Sequence, residues 1–572
     1  MDDMHSVDLA TDDQHSVGPT TDGKHSVGLT THDNHRVDQT TDDMTTLRTE
    51  LERLETRLHS AETVNREVYA SLHPGQREAA RNLFGYLCLR SEDLRDMQVR
   101  LHNAGLSSLA SSESHILRQV ESILERLGKV YPPDKLSIRN YAFSRESIGR
   151  RSALLFGAKQ DAVIPYLMIT FDAAFAEDHA FISTLLLHGM NVARINCAHD
   201  DAATWKKMIG SIRQATEATG LTCNIYMDLA GPKIRSVIRG KGKSHGKEKD
   251  HEKKNHEMKN HENEKNDETE RNHEKVKNHG KMKIAEGEEL ILAEEGADLH
   301  RKGLPKKDLH KKEKVIGCSL AGIVRHLEKG HRVLIDDGVI EAVVEEPGEE
   351  RARLRITRVS AEKHTLKAEK GMNFPDTVFV VPALTDYDRE CLPFIREYAD
   401  IVGYSFVEDE AALAELQGLL SAGEGREPFI VLKIERAAAV KNLPGLLLQG
   451  MRKEAFGIMI ARGDLAVEIG FERLSEIQEE ILWLSEAAHV PVIWATQVLE
   501  TLNKTGLATR SEVTDAAYAA QSECVMINKG EHLLKVIDVL KDILLRSGGH
   551  HLKKRYTFRP LSIARNFMHP DE

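Results

Sequence analysis

Lys433, Glu435 and Asp464 are the residues whose types and spacing point most directly to chemistry. Lys433 and Glu435 close the apolar run Phe429-Ile-Val-Leu-Lys-Ile-Glu435. Strand side chains alternate between faces, so residues two apart project together. A cation and an anion therefore leave one strand end side by side. The run Phe456-Gly-Ile-Met-Ile-Ala461 is likewise apolar until it reaches Arg462, Gly463 and Asp464, and the glycine lets the backbone approach a ligand closely. Runs that are apolar throughout read as strands of a parallel sheet, and parallel barrels carry their reactive groups at the carboxyl ends of the strands. Two carboxylates and a lysine at such ends suit a Mg²⁺ and phosphate site, because Mg²⁺ takes one or two carboxylates together with substrate oxygens. The purely structural alternative is a lysine–carboxylate pair that stabilises the barrel mouth.

Strand ends need a scaffold, and the alternation of patterns supplies one. Strands are expected at Tyr166 to Phe171, Asn191 to Asn196, Cys223 to Asp228, Ile401 to Phe406, Phe429 to Glu435, Phe456 to Ala461, Val490 to Ala495 and Cys524 to Asn528. Helical patterns such as Asp178 to His188 and Trp205 to Thr219 lie between them. Eight βα units fit a closed (β/α)8 TIM barrel of the α/β class, and no glycine-rich dinucleotide loop follows any strand. The barrel is expected in two parts, 160–236 and 383–548, with a carboxyl-terminal tail at 549–572. Between them, 237–283 is a low-complexity run of Lys, Glu, His and Asn that reads as a solvated loop. Short strand patterns in 284–382 (Glu289 to Ala293, Arg332 to Ile335, Val339 to Glu345, Arg351 to Val359) predict an inserted small β-barrel domain. Placed over the strand ends, it could act as a lid.

Upstream, 1–44 holds four decapeptide copies with histidines at His5, His15, His25 and His35. With so few apolar residues it reads as a disordered tail. Leu47, Leu51, Leu54 and Leu58 then make a helical stripe and open an all-helical module at 45–150, whose expected role is docking or dimerisation into a homo-oligomer. The net charge of −12 gives no reason to expect nucleic acid or a membrane surface as a partner. Six scattered cysteines and the lack of a long apolar run fit a cytoplasmic protein.

Eight stretches, in order, resemble the pyruvate kinase family. They are Gly189-Met-Asn-Val-Ala-Arg-Ile-Asn196, Met227-Asp-Leu-Ala-Gly-Pro-Lys-Ile-Arg235, Ile335-Asp-Asp-Gly-Val-Ile340, Lys370-Gly-Met-Asn-Phe-Pro375, Leu432-Lys-Ile-Glu435, Ile460-Ala-Arg-Gly-Asp-Leu-Ala-Val-Glu468, Ala495-Thr-Gln-Val-Leu-Glu500 and Thr509-Arg-Ser-Glu512. The resemblance covers about residues 164–530. It implies Mg²⁺-dependent transfer of a phosphoryl group from phosphoenolpyruvate to ADP, giving pyruvate and ATP in glycolysis. Carried over by position, Glu435 and Asp464 would ligate Mg²⁺, while Lys433 and Arg194 would meet the phosphoryl group. The backbone of Gly463 and Asp464 would hold the substrate carboxylate, and Thr496 would place the enolate. Asn196, His199, Arg235 and Lys370 would meet the nucleotide.

Departures from the family pattern narrow these expectations. The monovalent-cation pocket is matched by Asn196, Asp228 and the carbonyl of Leu229, but Ala198 stands where a serine is expected. Lys233 occupies the place where potassium-dependent members carry glutamate; its ammonium could replace the ion, so K⁺ is not expected to be required. Thr170-Phe-Asp-Ala-Ala replaces the Gly-Pro loop, and Met526-Ile-Asn-Lys-Gly530 replaces Ser-Gly-Glu-Thr. The chain ends soon after the eighth helix, which predicts no regulation through the family's carboxyl-terminal effector domain. Two other readings are a barrel lyase or aldolase using Mg²⁺-enolate chemistry, and a non-catalytic relative that acts as a binding protein.

Overall fold

The computed structural model describes residues 32–64, 66–159, 161, 163–238, 280–294, 313–360, 364–379, 381–422 and 426–548. Of 32–42, 64, 551–552 and 555–556 it describes the backbone alone. The amino-terminal helices are α1 (His32–Val64), α2 (Arg66–Ser71), α3 (Arg77–Arg90), α4 (Arg95–Asn103), α5 (Ile116–Arg126) and α6 (Tyr141–Phe156). Leu47, Leu51, Leu54 and Leu58 share a buried face of α1 against Leu101, Ile116, Val120 and Leu124, as their spacing predicts. Residues 32–44, expected within the disordered 1–44, form the first turns of α1. Residues 32–64 contain neither glycine nor proline, so a helix nucleated on the leucine stripe extends back cheaply; Gly18, Pro19, Gly23 and Gly28 all lie upstream. Residues 1–31 lie outside the described ones.

The barrel begins with β1 (Tyr166–Thr170), α7 (His179–Leu187), β2 (Met190–Asn196), α8 (Ala202–Thr219) and β3 (Asn224–Asp228). The insertion follows, with β4 (Ser236–Val237), β5 (Lys281–Ile284), β6 (Glu289–Ala293), β7 (Val315–Cys318), β8 (Arg332–Ile335), β9 (Ile340–Glu346), β10 (Arg351–Val359), β11 (His364–Lys367) and β12 (Met372–Asn373). The chain returns through α9 (Asp386–Tyr398), β13 (Ile401–Tyr404), α10 (Glu410–Ser421), β14 (Phe429–Ile434), α11 (Ala437–Lys441), α12 (Leu443–Gly450), β15 (Phe456–Ala461), α13 (Arg462–Ile469) and α14 (Leu474–Ala487). It finishes with β16 (Val492–Ala495), α15 (Glu500–Thr505), α16 (Arg510–Tyr518), β17 (Cys524–Ile527) and α17 (Leu533–Gly548). Strands β1, β2, β3, β13, β14, β15, β16 and β17 pair in parallel and in that order, and β17 closes onto β1 through Leu167 and Val525. Eight strands were expected and eight close the barrel.

Aspartates set where several helices start. Asp178, Asp201 and Asp409 each accept a backbone N–H of the first turn of α7, α8 and α10, which ends the loop above the strand and fixes its length. Inside the barrel, Met168, Val192, Tyr226, Ile401, Val431, Met459 and Ile493 form one core, and Leu155 and Phe156 at the end of α6 pack into it. The module expected at 45–150 therefore runs on to Phe156, whose burial depends on the barrel. On its other side, Ala79, Ala80 and Leu83 of α3 join the outer barrel core, against α14.

The insertion forms a seven-stranded sheet in the order β12-β8-β9-β10-β6-β7-β4, with β5 and β11 as a separate ribbon. Ser236 N–H donates to Lys370 O at 2.7 Å and Met372 N–H to Ile234 O at 2.8 Å, so the two edges of the sheet meet and close around Leu290, Leu292, Ile335, Val344 and Leu354. Its boundaries differ from the expected 284–382. Ser236 enters it from the barrel side, and Lys281 to Lys283, expected in the charged loop, pair with β11 because Met282 and Ile284 carry apolar surface. The rest of that loop, 239–279, lies outside the described residues. In the expected tail, His551–Leu552 and Arg555–Tyr556 pair as two short strands.

Candidate functional site

The ends of β2, β3, β13, β14, β15 and β16 surround one cleft of about 290 Å³. Arg194, Asn196, His199, Leu229, Lys233, Arg235, Lys433, Glu435, Asp464 and Thr496 line it. Residues up to 302 positions apart in the chain thus meet because parallel strands all present their carboxyl ends to one face. Lys433 Nζ lies 2.9 Å from Glu435 Oε1, donates to Ser405 Oγ at 2.7 Å, and stands 3.7 Å from Asp228 Oδ2. Both Lys433 and Glu435 are buried. Burial opposes the lysine's charge, but Asp228 and Glu435 hold its pKa above the ordinary range, so it is a cation. Burial pushes the Glu435 carboxyl up, against the pull of Lys433 and with the help of the like charge on Asp464.

Arg194 is held from behind. Its Nε donates to Asp228 Oδ2 at 2.7 Å, and a second nitrogen donates to Thr170 Oγ1 at 3.1 Å. Burial would raise the Asp228 pKa, yet Arg194 and Lys433 bring it below the usual carboxylate range. Asp464 sits in the first turn of α13, and Lys233 Nζ reaches its Oδ1 at 2.7 Å. At the end of β16, Thr496 has φ 65°, a left-handed conformation that a threonine keeps only when its surroundings enforce it. Arg462 enforces it by donating to Ala495 O at 2.9 Å and to Thr496 O, with its guanidinium stacked 4.5 Å from the Trp494 ring centre.

Three placements bear on the sequence-based expectations. Lys370 is not among the residues that line the cleft; it lies just before β12 in the inserted domain and pairs with Asp336 at 2.7 Å. Gly463 N–H, expected to hold a substrate carboxylate, donates to Thr496 Oγ1 at 3.0 Å, the left-handed turn having brought that hydroxyl over the start of α13. Lys233, expected to stand in for K⁺, pairs with Asp464 and lines the same cleft as Asn196 and Leu229. The expected K⁺ ligands are engaged elsewhere: Asn196 Oδ1 accepts Ala198 N–H at 3.0 Å, Asp228 Oδ2 accepts Arg194, and Leu229 O accepts Ser405 Oγ at 2.7 Å. Arg235 lines the cleft and also donates to Glu369 O at 3.0 Å. Partial desolvation, then Lys529 and Arg235, lowers the His199 pKa.

Ser405, Thr170 and the Phe406 N–H, which donates to Glu435 Oε2 at 2.7 Å, were not anticipated. Each lies at or just beyond the carboxyl end of a barrel strand, and polar residues at that position are the signal that could have found them.

Glu435 and Asp464 are two like-charged oxygen donors at adjacent strand ends, and the repulsion that helps raise the Glu435 pKa is what a divalent cation would relieve. This donor set fits Mg²⁺, which is commonly held by one or two carboxylates with the remaining positions filled by water and substrate. Among the described residues no group of three or more His, Cys, Asp or Glu could hold a metal by itself.

A closed parallel barrel with a lysine, an arginine and two carboxylates at its strand ends is a TIM-barrel protein of the kind that carries chemistry at its carboxyl face. The family model described as pyruvate kinase, barrel domain, matches residues 168–300 and 243–532, and the chain belongs to the pyruvate kinase family. A pyruvate kinase of Geobacillus stearothermophilus is 28% identical over 370 residues, covering 64% of this chain and 53% of that protein. The cytosolic isozyme of Nicotiana tabacum pyruvate kinase is 28% identical over 356 residues, covering 61% and 58%. The chain thus spans between half and three-fifths of the length of these curated relatives. A crystal structure of a Cryptosporidium parvum pyruvate kinase shares the fold, with a TM-score of 0.53 at 24% identity, covering 69% of this chain and 72% of that one. Among the described residues no helix is long and apolar enough to cross a membrane.

Proposed function

We propose that the protein transfers a phosphoryl group from phosphoenolpyruvate to ADP, giving pyruvate and ATP. The convergence of Lys433, Arg194, Glu435 and Asp464 on one cleft carries this reading. In such a transfer the enol P–O bond breaks, a P–O bond to the terminal ADP oxygen forms, and the enolate carbon takes up a proton. Glu435 and Asp464 would hold Mg²⁺, which supplies positive charge to phosphoryl and enolate oxygens. Lys433, cationic and braced by Ser405, neutralises charge that spreads over the phosphoryl oxygens in the transition state. Arg194 adds a second cation whose orientation is set by Asp228 and Thr170. Thr496, which lines the same cleft, would place the enolate.

His199 and Arg235 line the same cleft and give the nucleotide a place beside the inserted domain. That domain meets the barrel through Asn373 Nδ2 and Glu468 Oε1 at 2.8 Å, a contact suited to closing the site against water. A lyase of the enolate type would need neither the nucleotide contacts nor the cover.

Purified protein supplied with phosphoenolpyruvate, ADP and Mg²⁺, with pyruvate detected by a coupled assay, tests the proposal. In the Lys433→Met variant kcat should fall by about a hundredfold or more while KM for phosphoenolpyruvate stays within about threefold. No pyruvate from the unmodified protein would refute the reading.

A further inference from the structure

We propose that Tyr226 is a positioning residue for this site: its hydroxyl, packed beside Asp228 Oδ1, holds the carboxylate in the rotation from which Oδ2 grips Arg194. The inference rests on the phosphotransfer reading above. Tyr226 and Asp228 are two apart on β3, so both point into the barrel, and both are fully buried. Asp228 is the acceptor at the back of the site: its Oδ2 receives Arg194 at 2.7 Å and stands 3.7 Å from Lys433. Its other oxygen, Oδ1, is buried without a hydrogen-bond partner among the described residues, and so is the Tyr226 hydroxyl.

The two atoms converge on a single hole. Gly403 of β13 is the Cα partner of Asp228 across the sheet. A Cβ on Gly403 would fall 2.1 Å from Asp228 Oδ1 and 2.2 Å from the Tyr226 hydroxyl oxygen, so any side chain there would expel one or both. The glycine is therefore what admits a tyrosine this deep in the barrel. Burial and the adjacent carboxylate keep the phenol protonated, which makes it a donor. A buried carboxylate with one oxygen unsatisfied is costly and free to rotate, and rotation would carry Oδ2 away from Arg194. With the hydroxyl in place, the two cations that face the phosphoryl group are fixed from below by one carboxylate.

Tyr226→Phe removes the hydroxyl and keeps the ring. In the phosphoenolpyruvate and ADP assay kcat should fall by about tenfold, with KM for phosphoenolpyruvate within about twofold, because what is lost is orientation of groups that act in the transition state. The melting temperature should move by no more than about 3 °C. Gly403→Ala, which displaces the pair rather than deleting the hydroxyl, should lower kcat in the same sense. An unchanged kcat in Tyr226→Phe overturns the proposal. So does a loss of kcat accompanied by a collapse in melting temperature, which would mark Tyr226 as core packing alone. If the unmodified protein makes no pyruvate, the phosphotransfer reading itself fails and this inference with it; activity in the unmodified protein with an indifferent Tyr226→Phe sinks only the inference.

Discussion

Lys233 and Asp464, 231 residues apart, form an ion pair across the mouth of the barrel, with Nζ 2.7 Å from Oδ1. The pair places a fixed ammonium against one of the two carboxylates proposed to hold Mg²⁺. It also brings the loop after β3, from which the inserted domain departs, into contact with α13.

This arrangement, with Asn196, Asp228 and Leu229 all engaged by protein donors, predicts an activity that does not depend on K⁺. Replacing K⁺ by tetramethylammonium in the assay should leave the rate within about twofold. A fall of about tenfold or more would show that a monovalent ion is required after all.

His199 has its pKa lowered by partial desolvation and by the charges of Lys529 and Arg235. Its proton should therefore titrate below the ordinary value of about 6.5, leaving it neutral at pH 7. A group depressed in the folded state stabilises that state above the unfolded pKa, and the contribution is lost as pH falls through the folded one. NMR titration of the imidazole signals, with His199→Gln to identify the resonance, checks this; a midpoint above 6.5 would contradict it.

Asn82 fastens the helical module to the barrel. Its Nδ2 donates to Glu113 O at 2.7 Å and to Ala487 O at 2.8 Å, and its Oδ1 accepts Ile116 N–H at 3.0 Å. Asn82→Ala leaves three buried backbone groups without their partner and should cost about 3 kcal/mol of stability, measured by urea unfolding. A loss below about 1 kcal/mol would mean that Asn82 is not what fastens the module to the barrel.

The eight barrel strands were legible because each is a largely apolar run of strand length, all but β3 followed directly by a helical pattern, and because Lys433, Glu435 and Asp464 announce the strand ends by charge. The leucine stripe of α1 was legible for the same reason: its period is that of the element it forms. The strand-end position of the charged residues was legible, and their pairings were less so. No local pattern reports that Gly463 donates to Thr496, that Lys370 turns away toward Asp336, or that Arg462 holds the left-handed turn at Thr496. Those contacts join residues more than thirty positions apart, on different elements, and depend on rotamers and loop paths that no local pattern sets.

By itself, then, the sequence determined the elements, their order and the identity of the charged residues at the barrel mouth, because periodicity and strand-end position are local properties of the chain. Only the tertiary structure decided which acceptor each cation faces and which oxygen of Asp228 meets Arg194. Barrel closure brings side chains from distant strands within a few ångströms, and their partners are then chosen by space, as the missing side chain of Gly403 illustrates.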